Sequence, residues 1–490
     1  MSAAAPDQGQ ASAGGPANGN GGSERLTPIE SQYASTSPSV PKRIHILGTG
    51  SIGKLVAHSL RSLPDPPPVT LVLHRYNLLA AWAKGPKVIT LNDEGHDVQR
   101  GGLDVELMRE IRKEYGRERQ AGEPGVYEVS DAMEGRVSPH EAAQVLQDQD
   151  KQKMAAGSRE PKEAYKPFSQ GRGDYAISDE PIHNLIITTK TPTTVSALTA
   201  LKSRLLPTST LCFLQNGMGV IDDVNEKLFP DPATRPNYMQ GIITHGANVP
   251  PHKAEQDPFY AVHAGKGTIA LGLLPREGPS AVRPDDDATD VKDVKDEKWA
   301  PSSRYLLRTL ARSPVLCAIG FTPTELLQQQ LEKLVVNSVL NPLTAILDNR
   351  NGSILHNFPL TRTMRLLLAE TSHVIRSLPE LQNVPNVNTR FSPQRLEDLV
   401  VSVTQRTADN ISSMLADVRA GRRTEIEYIN GYIVKRGEEM GLKCLVNYAI
   451  MQTVIGKALM TRREVHSEVP VENEGNVGSS LSGEIGRAHV

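Results

Sequence analysis

Arg43-Ile44-His45-Ile46-Leu47-Gly48-Thr49-Gly50-Ser51-Ile52-Gly53-Lys54 is the stretch on which the fold turns. A short apolar run meets a glycine cluster, and Leu55, Val56, Leu60 and Leu63 then recur at helical spacing, which reads as strand, turn, helix. After the breaker Pro64-Asp65-Pro66-Pro67-Pro68, the run Val69 to Leu73 is near-continuously apolar, as in a strand buried on both faces. The result is a parallel βαβ unit. Gly48, Gly50 and Gly53 match G-x-G-x-x-G: the first permits a tight turn, the second lets backbone approach a pyrophosphate, the third lets helix pack on strand. Gly48, Thr49, Gly50, Ser51, Ile52 and Gly53 are therefore expected to bind a dinucleotide, its anion resting on the helix N-terminus. A glycine turn without a ligand is the plainer alternative. The second strand ends Leu73-His74-Arg75, without the acid that usually holds the ribose hydroxyls of NAD. Arg75 suits a 2′-phosphate, which points to NADP(H); a solvated surface arginine is the other reading.

Further buried-strand candidates are Asn184 to Thr189, Thr210 to Leu214, Met239 to Thr244 and Thr268 to Leu273. Strands alternate with helices, so the class is α/β. Between residues 101 and 181 the composition turns polar and charged, which reads as an insertion, partly helical over Val105 to Gln120. Residues 276–300 form a second, acidic and proline-containing loop. From Thr324 the spacing becomes helical, over Leu326 to Leu347, Leu360 to Leu378, Pro393 to Leu415 and Thr424 to Met440. The expected organisation is a disordered tail over 1–41, a Rossmann-type α/β domain over 42–322, an all-helical C-terminal substrate and catalytic domain over 323–462, and a second disordered tail over 463–490.

The balance of 54 basic against 56 acidic residues argues against a global grip on nucleic acid or anionic membrane, leaving small molecules as partners. Cys212, Cys317 and Cys444 lie far apart in apolar stretches, as buried thiols of a reducing compartment do, and no cysteine or histidine cluster suggests a metal. No run reaches the roughly 18 apolar residues of a membrane span. The cytoplasm is the expected compartment; residues 1–22 contain no Arg or Lys, which weakens a mitochondrial presequence without closing that reading.

In Glu332-Lys333-Leu334-Val335-Val336-Asn337-Ser338-Val339-Leu340-Asn341-Pro342, residues Lys333, Asn337 and Asn341 recur every four positions and form one stripe along a helix. A polar stripe on an apolar helix needs partners, because each buried unpaired amide costs roughly 1–3 kcal/mol. A bound polar ligand is one solution, and ties between neighbouring helices are another. Downstream runs Ser412-Ser413-Met414-Leu415-Ala416-Asp417-Val418-Arg419-Ala420-Gly421-Arg422-Arg423-Thr424-Glu425-Ile426-Glu427. Gly421 reads as a break between helices, and Thr424 with Glu427 as a capping box that puts Glu425 in a first helical turn, where macrodipole compensation is its plain role.

Taken with Thr189-Lys190-Thr191, Gln215-Asn216-Gly217-Met218-Gly219 and Asn351-Gly352, these motifs resemble, in type and order, the ketopantoate reductase family, over about Lys42 to Leu459. The resemblance implies NADPH-dependent reduction of 2-dehydropantoate (ketopantoate) to (R)-pantoate, a step toward pantothenate and coenzyme A. It implies Lys333 as proton donor, Asn337, Asn341, Asn351 and Ser413 as substrate ligands, Glu425 beside reacting centre and cofactor, and Lys190 and Asn216 on NADP(H). A homodimer stays open as the assembly. A reductase of another branched 2-keto acid, and a non-catalytic NADP(H)-binding sensor, are the alternatives.

Overall fold

A computed structural model of the chain describes residues 40–108, 178–275 and 299–467. Most of the two expected tails and of the two expected insertions lies outside the described residues; the second tail, expected from 463, is helical as far as Ser467. In chain order the strands are β1 (Ile44–Leu47), β2 (Val69–Leu73), β3 (Ile89–Asp93), β4 (His96–Arg100), β5 (Leu103–Leu107), β6 (Ile182–Ile187), β7 (Leu205–Phe213), β8 (Asn237–Ile243), β9 (Gly246–Asn248), β10 (Tyr260–Gly265), β11 (Ile269–Leu273) and β12 (Ala318–Gly320). Eight of them form one sheet in the order β12-β11-β8-β7-β6-β1-β2-β5. From β5 to β8 all neighbours are parallel, Ile46 standing beside both Leu71 and Ile186; β11 runs antiparallel to β8. The parallel part has the strand order of a doubly wound dinucleotide fold, whose topological switch point lies between β1 and β6.

Helix α1 (Ser51–Arg61) packs its buried Leu55, Val56 and Leu60 into the core shared with Ile44, Ile46 and Leu71. It also lies against a second sheet, β4-β3-β10-β9, which the sequence reading missed. Its strands are short and partly exposed, β4 running exposed-exposed-intermediate, so they lack the apolar runs that marked the larger sheet. The glycine turn explains how α1 comes so close to β1. Gly48 has φ +107°, and a Cβ on Gly53 would stand 1.9 Å from the Gly48 carbonyl oxygen, whereas one on Gly50 would meet nothing within 4 Å. Gly53→Ala is thus expected to cost about 3 kcal/mol of stability, the upper part of the overpacking range, and Gly50→Ala almost none. Urea unfolding of the two variants side by side checks this; equal midpoints would contradict it.

Two local expectations fail here. Val105 does not start a helix: Leu103–Leu107 is the edge strand β5, paired with β2 from Val69↔Leu103 to Leu73↔Leu107. Buried Leu103 and Val105 alternate with exposed Asp104, and Glu106 is held by Arg204 at 2.8 and 3.2 Å, so tertiary pairing overrides the charged composition. Cys317 is exposed rather than buried, at φ +44° in the turn that enters β12, while Cys212 and Cys444 are buried.

The C-terminal part is helical: α2 (Pro323–Leu347), α3 (Phe358–Ser377), α4 (Pro393–Arg406), α5 (Ser413–Arg419), α6 (Asn430–Glu439) and α7 (Leu445–Ser467). Its core joins Leu331, Val335 and Val339 of α2 to Leu367 and Ile375 of α3, Leu396 of α4, Ile433 of α6 and Val454 of α7. A capping box starts α2, the Thr322 side chain accepting from the Glu325 amide and the Glu325 side chain from that of Thr322. The expected single helix over 393–415 is two, because Ser412 caps a new start at α5. The expected capping box of Thr424 and Glu427 does not form. Glu427 pairs with Arg423 at 2.6 Å, and Ile426–Tyr428 is a short 3-10 turn before α6. Among the described residues no helix is long and apolar enough to cross a membrane.

Candidate active site

The carboxyl ends of β1, β6, β7 and β8 carry the loops Gly48–Gly53, Thr188–Thr191, Leu214–Gly219 and Thr244–His245, and α2 faces them. The two halves meet through main chain: the Met218 amide donates to the Tyr428 carbonyl at 2.8 Å. Gly217, at φ +82°, is needed there, since a Cβ would come within 2.6 Å of that same oxygen.

Lys333 projects from α2 into this junction. Its ammonium donates to Asn216 Oδ1 at 3.0 Å and to the Ile243 carbonyl at 2.7 Å. Both partners are acceptors, so two of three N–H bonds are committed and the third is left for the cleft. Loss of water around the buried group pulls its pKa from the ordinary lysine value down to about 8, with Glu425 pulling the other way. The cleft is lined by Gln215, Asn216, Met218, Ile242, Lys333 and Asn337, with Gln330 and Leu334 completing the α2 side.

Glu425 is buried and fully engaged. Oε1 accepts from the Thr191 amide at 3.2 Å and lies 3.1 Å from the Thr191 hydroxyl, which also donates to the Asn216 carbonyl at 2.7 Å, and Oε2 accepts from Asn216 Nδ2 at 3.2 Å. Asn216 thereby bridges Glu425 and Lys333, its amide group donating to one and accepting from the other. Lys190 Nζ lies 2.6 Å from Asp417 Oδ2 and 3.8 Å from Glu425 Oε2. Burial disfavours the Lys190 charge, but the Glu425 and Asp417 carboxylates outweigh it and raise its pKa. Asp417, 2% exposed and also bound by Arg422 at 3.0 Å, is a site residue that sequence reasoning missed. An acid on an otherwise apolar helix, two residues before the helix-ending Arg419 and five before Arg422, is the signal that marks it.

Sequence-selected residues thus fall into two groups. Lys190, Asn216, Lys333 and Glu425 form one connected network, and Asn337 shares its cleft. Asn341, on the same stripe, is 6% exposed. Asn351 and Ser413 flank the segment beyond the far end of α2: Asn351 Nδ2 donates to Thr407 Oγ1 at 3.0 Å, and Ser413 is exposed in the first turn of α5. The local capping goes to its neighbour Ser412, whose hydroxyl accepts from the Leu415 amide at 3.1 Å and from Thr344 at 2.7 Å.

At the carboxyl end of β1 the glycine turn suits a dinucleotide. No side chain caps α1, so its first amides are unsatisfied by side chains, and the space above Gly50 is open. Arg75 starts the helix after β2, exposed. A glycine turn open to a dinucleotide and an ammonium in a cleft are the two parts, a seat for a hydride donor and a proton donor, that a nicotinamide-dependent oxidoreductase uses. Two family models cover most of the described chain: "Ketopantoate reductase PanE/ApbA" matches residues 142–276, and "Ketopantoate reductase PanE/ApbA C terminal" matches 325–458. A probable 2-dehydropantoate 2-reductase of Schizosaccharomyces pombe is 31% identical over 293 residues, 59% of this chain and 78% of that protein. A ketoisovalerate reductase of Gibberella fujikuroi is 27% identical over 428 residues, 80% of this chain and 78% of that protein. A D-mandelate dehydrogenase solved with NADH and anilino(oxo)acetate shares the fold, with a TM-score of 0.54 at 16% identity over 86% of this chain and 99% of that one. The chain belongs to the ketopantoate reductase family.

Proposed function

We propose that the chain reduces 2-dehydropantoate to (R)-pantoate with NADPH, and that Lys333 supplies the proton. The observation that carries this is the half-buried Lys333 ammonium, held by two acceptors so that its remaining N–H is left for the cleft it lines. The residues fit a bound nicotinamide dinucleotide: the Gly48–Gly53 turn would hold its pyrophosphate, Lys190 and Asn216 would contact it, and the exposed Arg75 would take a 2′-phosphate. When bound, that group supplies a hydride to the carbonyl carbon. The carbonyl π pair then moves to oxygen and takes the third proton of Lys333, which is left as a neutral amine still donating to Asn216 and Ile243. Before transfer the ammonium polarises the carbonyl. Asn337, one turn along α2, and Asn341, two turns along, would hold the substrate; the resemblance adds Asn351 and Ser413, which lie beyond the far end of α2 and outside the cleft's lining. Neutral donors bind a carboxylate without adding a cation that would lower the Lys333 pKa further. Glu425 orients the proton donor through Asn216 and favours its charged form.

A second substrate is favoured by one observation, the longer match to the ketoisovalerate reductase, 80% of this chain against 59% for the 2-dehydropantoate reductase. The test is a panel of branched 2-keto acids assayed for NADPH and NADH oxidation. Ketopantoate with NADPH should give the highest kcat/KM; equal or faster turnover of another acid replaces ketopantoate, and equal rates with NADH remove the role of Arg75.

A further inference from the structure

α2 carries three consecutive glutamines ahead of Lys333, Gln328 to Gln330, and the two buried ones, Gln328 and Gln330, are used differently. Gln328 is 7% exposed and satisfied, donating to the Thr324 carbonyl at 3.3 Å and accepting from Arg390 at 3.0 Å. Gln330 is 8% exposed, lines the cleft, and makes no hydrogen bond among the described residues. An amide so placed faces the cleft with its donor and acceptor both available to water or to a bound ligand. Gln330, Lys333, Leu334 and Asn337 follow the i, i+3, i+4, i+7 pattern of one helix face. The polar stripe therefore extends to both sides of the proton donor.

A 2-keto acid also has two sides, its carboxylate on one flank of the carbonyl and its branched chain on the other. With the carbonyl at Lys333 and the carboxylate toward Asn337, the branch lies toward Gln330. The apolar lining of the cleft is Met218, Ile242 and Leu334, and Gln330 is the polar α2 side chain on that side of Lys333. We propose that Gln330 is a specificity-determining residue that hydrogen-bonds a hydroxyl on the branched chain of the keto acid. This rests on the keto-acid reductase reading above and adds to it the group that separates hydroxylated from plain branched substrates. A site that hydrogen-bonds a substrate hydroxyl discriminates strongly against the analogue lacking it, because its own polar group is then left unpaired.

Ketopantoate and 2-ketoisovalerate differ by one hydroxymethyl group and make the test direct. In Gln330→Met, of similar length but without the amide, kcat/KM for ketopantoate should fall by about tenfold or more, while that for 2-ketoisovalerate stays level or rises. NADPH affinity should be unchanged, and so should the alkaline limb of the pH profile, which a general disturbance of α2 would move. Gln330→Leu gives the same comparison should the methionine variant fail to bind NADPH. An unchanged ratio of the two substrates in a variant that binds NADPH overturns the inference alone. Absence of any keto-acid turnover by the wild type overturns the reductase reading, and the inference with it.

Discussion

Lys333→Ala is expected to lower kcat by roughly 10²–10⁴, the range in which a positioned general acid contributes. NADPH affinity should be little changed, since the glycine turn and Arg75 lie on elements of the sheet and not on α2. The loss has two sources: the proton has no donor, and developing negative charge on the carbonyl oxygen has no ammonium to meet it. Structure supports a rate effect beyond that of a cavity. The lysine holds no carboxylate directly, only Asn216 and a main-chain carbonyl, so its removal leaves two neutral acceptors facing the cleft. Wild-type rates in the variant, measured by NADPH oxidation at saturating ketopantoate, would remove the proton-donor role.

Glu425→Gln is expected to reduce kcat/KM by about ten- to a hundredfold, through one lost charged hydrogen bond and the mispaired group it leaves. The carboxylate accepts on both oxygens, from Thr191 and from Asn216. A glutamine offers one acceptor and one donor, so either Thr191 or Asn216 faces an N–H with its own N–H. The bridge from Asn216 to Lys333 is disturbed in the second case, and the anchor to the β6 loop in the first. The charge effect has a definite sign. Glu425 raises the Lys333 pKa against the stronger pull of burial, so removing its charge lowers that pKa below about 8. Reduction needs the ammonium, which is present below its pKa, and the alkaline limb of kcat/KM should therefore move to lower pH. A limb that stays in place or moves upward in Glu425→Gln would sever the electrostatic link between the two residues.

The parallel sheet was legible because its strands are buried on both faces and read as apolar runs, and because glycines at three fixed offsets leave few alternatives. Its edge was not. Leu103–Leu107 carries Asp104 and Glu106, which make it look like the start of a polar insertion, and only the pairing with β2 and the Arg204 partner explain their presence. The small second sheet escaped for a related reason: its strands are stabilised by contact with α1 and each other, not by an apolar run of their own. In the site, the spacing of Lys333 and Asn337 was sufficient to put them on one face. The partners of Glu425 were not readable, because Thr191 and Asn216 lie over two hundred residues away in sequence. Local rules pointed to a capping box at Thr424, and the fold instead gives Glu427 to Arg423 and leaves Glu425 free to reach the sheet. Gln330 was passed over because it breaks the spacing of four, standing three residues from Lys333, which on a helix is still the same face.

The pH dependence of ketopantoate-driven NADPH consumption tests most directly whether the proton comes from Lys333. With a free-enzyme pKa of about 8, kcat/KM should be level in the neutral range and then fall about tenfold per pH unit, with no such limb in the residual activity of Lys333→Ala. NADPH that is not consumed when ketopantoate is added, or a wild-type profile that stays level through pH ~10, where an ordinary lysine titrates, would contradict it.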